Sequence, residues 1–204
     1  HIHTHPATPA NNTNAESSAA SDVYKRQTSG IAFNAVRFIV WIHVMACITW
    51  IGLLYYFNFV QVPALADAAS DDGGPGGAGI TKYVAPRALW WFRWGAALTW
   101  LSGAAYLGHL KMFTSAFTLG LGGEVFNSQA MIIGVGAWLG TIMLFNVWVL
   151  IWPNQKKILG MVKASDEEIA RARKVAFMAS RTNTLLSIPM LMSMVGFGHG
   201  GFFI

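Results

Sequence analysis

Long apolar runs separated by short polar stretches dominate the chain from residue 31 onward. Four such runs, at 38–61, 88–110, 130–152 and 182–204, carry almost no charge. Each is close to the ~20 residues that an α-helix needs to cross the hydrocarbon of a bilayer. The pattern predicts an all-α fold: a polytopic membrane protein built as a bundle of four transmembrane helices, with spans at about 33–62, 88–111, 129–152 and 183–204. Pro63 is expected to stop the first helix. Asn127 or Ser128 supplies an N-cap for the third, which should end at "IWPNQKK". Between the third and fourth spans, "SDEEIARARKVAFMASR" opens with Ser165 and Glu168 at capping-box spacing, acids first and bases later. That order predicts a short cytoplasmic amphipathic helix. Pro189 interrupts the last run and is expected to kink it.

Composition strengthens this picture. Of 204 residues, 54% are hydrophobic and only 11% charged, more apolar than a soluble core requires. The net charge of +5 does not point to nucleic acid, because the basic residues gather at the ends of the runs. Seven Lys or Arg lie between 156 and 181, and Lys82, Arg87 and Arg93 flank the first loop, whereas the opposite face has Arg37 and Lys111. Positive residues mark the cytoplasmic side, so the expected location is a bacterial inner membrane with both termini periplasmic. The loop core "DAASDDGGPGGAG" belongs outside the hydrocarbon. Cys47 is the only cysteine, which excludes an intramolecular disulfide and a covalently attached c-type haem.

Residues 1–30 are polar and aperiodic, and are expected to be a disordered leader. His1, His3 and His5 could hold a metal but have the look of a tag. "DVYKRQ" back-translates to a sequencing-adaptor sequence, so the gene itself is expected to begin near Ser29.

Three histidines remain: His43, His109 and His199. With four alternating spans, all three fall in the outer half of the membrane. An ionisable group inside a membrane helix is costly enough that a function is the first hypothesis. The functional reading is axial ligation of a haem b by His43 and His199, with Arg37 and Arg93 holding its propionates. The competing reading is a histidine hydrogen-bonded to a carbonyl or hydroxyl of a neighbouring helix, with interfacial arginines that snorkel. His109, beside Lys111, reads as solvated. Asn58, Asn146 and Asn183 are expected to tie helices together. The tryptophans at 90, 91, 94, 100, 138, 148 and 152 read as belt and packing residues.

Four stretches, "RFIVWIHVMACITWIGLLYYF", "LWWFRWGAALTWLSG", "NVWVLIWPNQKKIL" and "ASRTNTLLSIPMLMSMVGFGH", resemble in that order the membrane domain of the bacterial cytochrome-c-linked urate oxidase (urate hydroxylase) family. The first stretch is also similar to haem-binding membrane proteins such as the HemJ-type protoporphyrinogen oxidases. In the urate oxidase family, as the resemblance implies, a multi-span domain precedes a C-terminal cytochrome c that takes electrons from urate oxidation. His43 matches its first-helix histidine and His199 a histidine late in the second half. This chain has fewer spans and no c-haem motif, so it resembles a short stand-alone relative. The expected function is a membrane redox protein that binds haem b and passes electrons to a separate cytochrome c, with the lipid bilayer and a further copy of the chain as other partners. The alternative is a non-catalytic membrane subunit without cofactor. No catalytic residue is assigned.

Overall fold

The computed structural model describes residues 33–200, and the expected leader at 1–30 lies outside them. The chain divides into two units, His1–Ala35 and Val36–Ile204, and the second holds the architecture below. Among the described residues there are helices and loops and no strand. Helix α1 (Ala35–Tyr56) runs through a π turn, Phe57–Gln61, into α2 (Val62–Ser70). A second π turn, Ile80–Val84, leads into α3 (Ala85–His109), and a short α4 (Phe113–Phe117) follows. Helix α5 (Ser128–Phe145) passes through a third π turn, Asn146–Ile151, into α6 (Trp152–Ile158), and α7 (Asp166–His199) closes the fold.

Pro63 does not stop the first helix. The rod continues to Ser70, and the π turn before the proline is the reason. A proline lacks an N–H and its ring collides with the carbonyl four residues back, unless the helix widens there. The residue before each of three prolines does this: the N–H of Val62 bonds Phe57 O, that of Ala85 bonds Ile80 O, and that of Trp152 bonds Val147 O. Each is a five-residue step, and each admits Pro63, Pro86 or Pro153 without ending the rod. The third helix likewise runs beyond residue 152, to Ile158. Pro189 sits inside α7 with no such turn.

The expected short amphipathic helix and the fourth span are one helix of 34 residues. Its N-terminus is as read: Ser165 Oγ accepts from Glu168 N–H, and the Glu168 carboxylate accepts from Ser165 N–H. The helix then continues because the buried positions Ala172, Ala176, Ala179, Asn183, Ser187 and Met190 recur every three or four residues without a break.

Four rods pack antiparallel in a closed ring. Between α1 and α3, His43 meets Thr99 while Phe57 meets Phe92 edge-on at 5.5 Å. Between α3 and α5–α6, Trp100 Nε1 donates to Thr141 Oγ1 at 2.8 Å and Arg93 lies on Trp152. Between α5 and α7, Gly136 N–H donates to Ser193 Oγ and Asn146 to Asn183. Tyr55 and Asn58 close the ring on Ser187 and Ser180 of α7. In every pair the residue numbers run in opposite senses, as in an up-and-down bundle.

The core is mainly apolar, with Trp50, Leu54, Phe92 and Met143 buried, yet it also buries polar side chains while large apolar ones stay outside. Asn183 and Ser187 are 0% exposed, while Leu185 and Trp41, on the outside, are 69% and 56% exposed. Two rods, Ala35–Ser70 and Ser128–Ile158, are long and apolar enough to cross a membrane. Near the end of the bundle that holds His109, α4 folds back onto α5. A Cβ at Gly134 would collide with Ala116 O, so only glycine permits that approach.

Candidate functional site

His43 lies midway along α1 with its imidazole turned toward α3. Its Nδ1 is 2.8 Å from Thr99 O and 3.3 Å from Ser102 Oγ. A carbonyl only accepts, so Nδ1 carries the proton and the neutral ring keeps its lone pair on Nε2. Nε2 makes no hydrogen bond to another described residue. The acceptors are themselves held in place: Thr99 Oγ1 donates to Gly95 O, and Ser102 Oγ donates to Leu98 O. Gly103 provides the floor, since a Cβ there would stand 2.9 Å from His43 Cε1. Thr99, Ser102 and Gly103 are the functional-site residues that sequence reasoning did not single out. The signal was "TWLSG", small and hydroxylated positions one helical turn apart in an apolar helix.

His199 is exposed at the end of α7, and its Nδ1 reaches back 3.3 Å to Val195 O of its own helix. The two histidines are level but not joined. His43 stands twelve residues before Tyr55, and His199 twelve after Ser187, the partner of Tyr55. Twelve residues at 100° each rotate a side chain by roughly 120° away from the α1–α7 seam. The antiparallel register therefore matches their heights while each ring is turned to different surroundings.

The two candidate arginines also stand apart. Arg37 is exposed in the first turns of α1, six residues before His43. Arg93 is on α3 but faces α5–α6: its Cζ is 3.7 Å from the Trp152 ring centroid and 5.7 Å from that of Trp148. It lies toward the opposite end of the bundle from His43. His109 is exposed, as expected of a solvated residue.

The asparagines behave as the sequence suggested. Asn146 Nδ2 donates to Asn183 Oδ1 at 2.8 Å, and Asn183 Nδ2 donates to Met143 O at 3.0 Å. Asn58 Nδ2 donates to Leu54 O and to Ser180 Oγ. Asn58 and Asn146 both stand in π turns, and both are buried against the same stretch of α7. Among the described residues, no group of three or more His, Cys, Asp or Glu side chains comes together as a metal site.

A family model described as urate oxidase N-terminal matches residues 109–203. That part of the chain, just under half of it, is similar to the urate oxidase N-terminal family. The match takes in α4 to α7 and His199, and apart from His109 at the end of α3 it leaves out α1, α3 and His43. No curated protein and no solved structure matches the chain.

Proposed function

We propose that the chain is a four-span domain of the bacterial inner membrane that offers His43 to a haem iron and passes electrons to a separate cytochrome c. The membrane part is supported by the large apolar side chains on the outside of the bundle, by the two long apolar rods and by charge. In the antiparallel ring, ten of the Lys and Arg residues among those described lie at the α2–α3 and α6–α7 end, against Arg37 and Lys111 at the other. By the positive-inside rule the first end is cytoplasmic and the ends of α1 and α7 face outward.

The single observation that carries the haem reading is the state of His43. A ligating imidazole characteristically gives its second N–H to a carbonyl, which fixes the tautomer and aims the ring. Thr99 O does that here, Ser102 shares the N–H, and Gly103 leaves the ring a flat neighbour. These residues would hold a haem iron through His43, whereas His199 of the same chain is exposed and turned to its own helix. When bound, the haem supplies a one-electron couple. The residues around His43 hold the proton on Nδ1 and aim Nε2.

A second reading, a membrane subunit without cofactor, is favoured by one observation: Thr99 O and Ser102 Oγ already satisfy His43 as a helix-tying residue. An absorption spectrum of the full chain purified in detergent decides between them. The haem reading expects a Soret band with reduced α and β bands that vanish in His43→Ala and persist in His199→Ala. A colourless protein with full helical circular dichroism overturns it. If haem is present, anaerobic urate in the presence of cytochrome c tests the reductant: haem that stays oxidised counts against urate.

A further inference from the structure

The seam between α3 and the α5–α6 rod, at the basic end of the bundle, has no part in the proposal for His43. Arg93 lies over Trp152 at 3.7 Å, and Lys156 Nζ is 5.9 Å from the same ring. Two cations thus share one indole. Neither has a carboxylate partner; the ion pairs among the described residues are Lys157 with Glu168 and Arg171 with Glu167. Nε and Nη1 of Arg93 are buried without any acceptor. The tryptophan faces offset part of that cost, but an N–H of a guanidinium against a ring is poorly satisfied compared with one on oxygen. Nη2 is the nitrogen of that group left reachable from outside.

An apolar groove of about 320 Å³ opens in the same seam, lined by Trp100, Thr141, Leu144, Phe145 and Trp148. Its two polar groups are engaged, since Trp100 Nε1 donates to Thr141 Oγ1 and that hydroxyl donates to Ala137 O. The groove therefore offers a ligand only apolar surface. Trp148 belongs to both features: it borders the groove, and its ring lies 5.7 Å from Arg93 Cζ. Arg93 and Trp100 are two helical turns apart, roughly 10 Å along α3.

We propose that this seam binds one anionic phospholipid, with its phosphate on Arg93 and Lys156 and part of an acyl chain along the groove below Trp148. The inference rests on the membrane reading, which places Arg93 and Trp152 at headgroup depth and the groove in the hydrocarbon. A soluble phosphate would use the cations and leave the groove without purpose. A zwitterionic lipid would add a positive charge beside two others.

Native mass spectrometry of the full chain, released from detergent with dioleoylphosphatidylglycerol or dioleoylphosphatidylcholine, tests this. The wild type should retain one phosphatidylglycerol in preference to phosphatidylcholine. Arg93→Gln should weaken that retention about tenfold, and Lys156→Gln by less. Arg93→Lys, which keeps the charge and is the more conservative change should Arg93→Gln not fold, should lose part of it. Equal retention of the two lipids, or retention unchanged in both Arg93 variants, overturns the proposal. So does displacement of phosphatidylglycerol by excess inorganic phosphate, which would identify a free-phosphate site. Carbonate extraction of membranes keeps the two failures apart. A chain released by carbonate refutes the membrane reading, whereas a chain retained in the membrane that shows no lipid preference refutes the lipid site alone.

Discussion

The α5–α7 seam and the α1–α3 seam each bury polar side chains between apolar helices, but they differ in what is left over. In the first, Asn183 accepts from Asn146 and donates to Met143 O, and Ser193 Oγ accepts from Gly136 N–H while donating to Ile132 O. Those polar groups are paired across the seam. In the second, Thr99 and Ser102 spend their hydroxyls on their own helix and present a carbonyl and an oxygen to one face of His43. The other nitrogen of the ring stays uncommitted. A closed network binds helices to each other; an open valence can bind something else.

The largest effect should come from breaking the closed seam. Asn183→Ala removes two buried hydrogen bonds and strands the Asn146 amide, a loss of about 1–3 kcal/mol. Thermal melting in detergent should show a clear drop in Tm, and an unchanged Tm would mean that the asparagine ladder does not hold the bundle. A smaller loss of stability but a sharper functional one is expected at Gly103. A Cβ there would press on His43 Cε1 at 2.9 Å, so Gly103→Ala should displace the imidazole with a Tm change below that of Asn183→Ala. Any Soret band present in the wild type should weaken or shift; an identical spectrum would show that the ring position is irrelevant to pigment.

The smallest effect lies outside both seams, at the start of α7. The backbone N–H of Ser165, and next the charge of Lys157, hold the Glu168 carboxyl below its ordinary pKa. A depressed folded-state value means that the stabilisation is complete above the unfolded pKa, near 4.5, and is lost as pH falls through the lower folded value. Hydrogen exchange of the first turn of α7 should therefore quicken as pH falls below about 4.5, after correction for the intrinsic rate. Glu168→Gln should abolish that pH dependence. The α5–α7 seam, which contains no carboxylate, should not respond.

Several of these features were legible in the residues. The Ser165 and Glu168 capping box needs only a spacing of three, and the tying role of the asparagines follows from the cost of burying an amide among apolar helices. The location of His43 in an apolar run was equally plain. Its partner was not, because Thr99 is fifty-six residues away and contributes a backbone carbonyl, which every residue has. The continuation of the first and third rods through Pro63 and Pro153 was also hidden. A proline in a sequence reads as a stop, and the π turn that admits it is a backbone adjustment with no residue code of its own.

From one chain of letters, apolar run length and the placement of lysines and arginines were enough to define helical rods, their alternation and their charged end. Those properties are local sums: the free energy of moving a segment into hydrocarbon depends on its own residues. Which side of each rod meets which neighbour was decided only in three dimensions. A helix turns its side chains by about 100° per residue, so equal height does not ensure a meeting. His43 and His199 share a level and face apart, and Arg93, on the same helix as Thr99, serves a different seam.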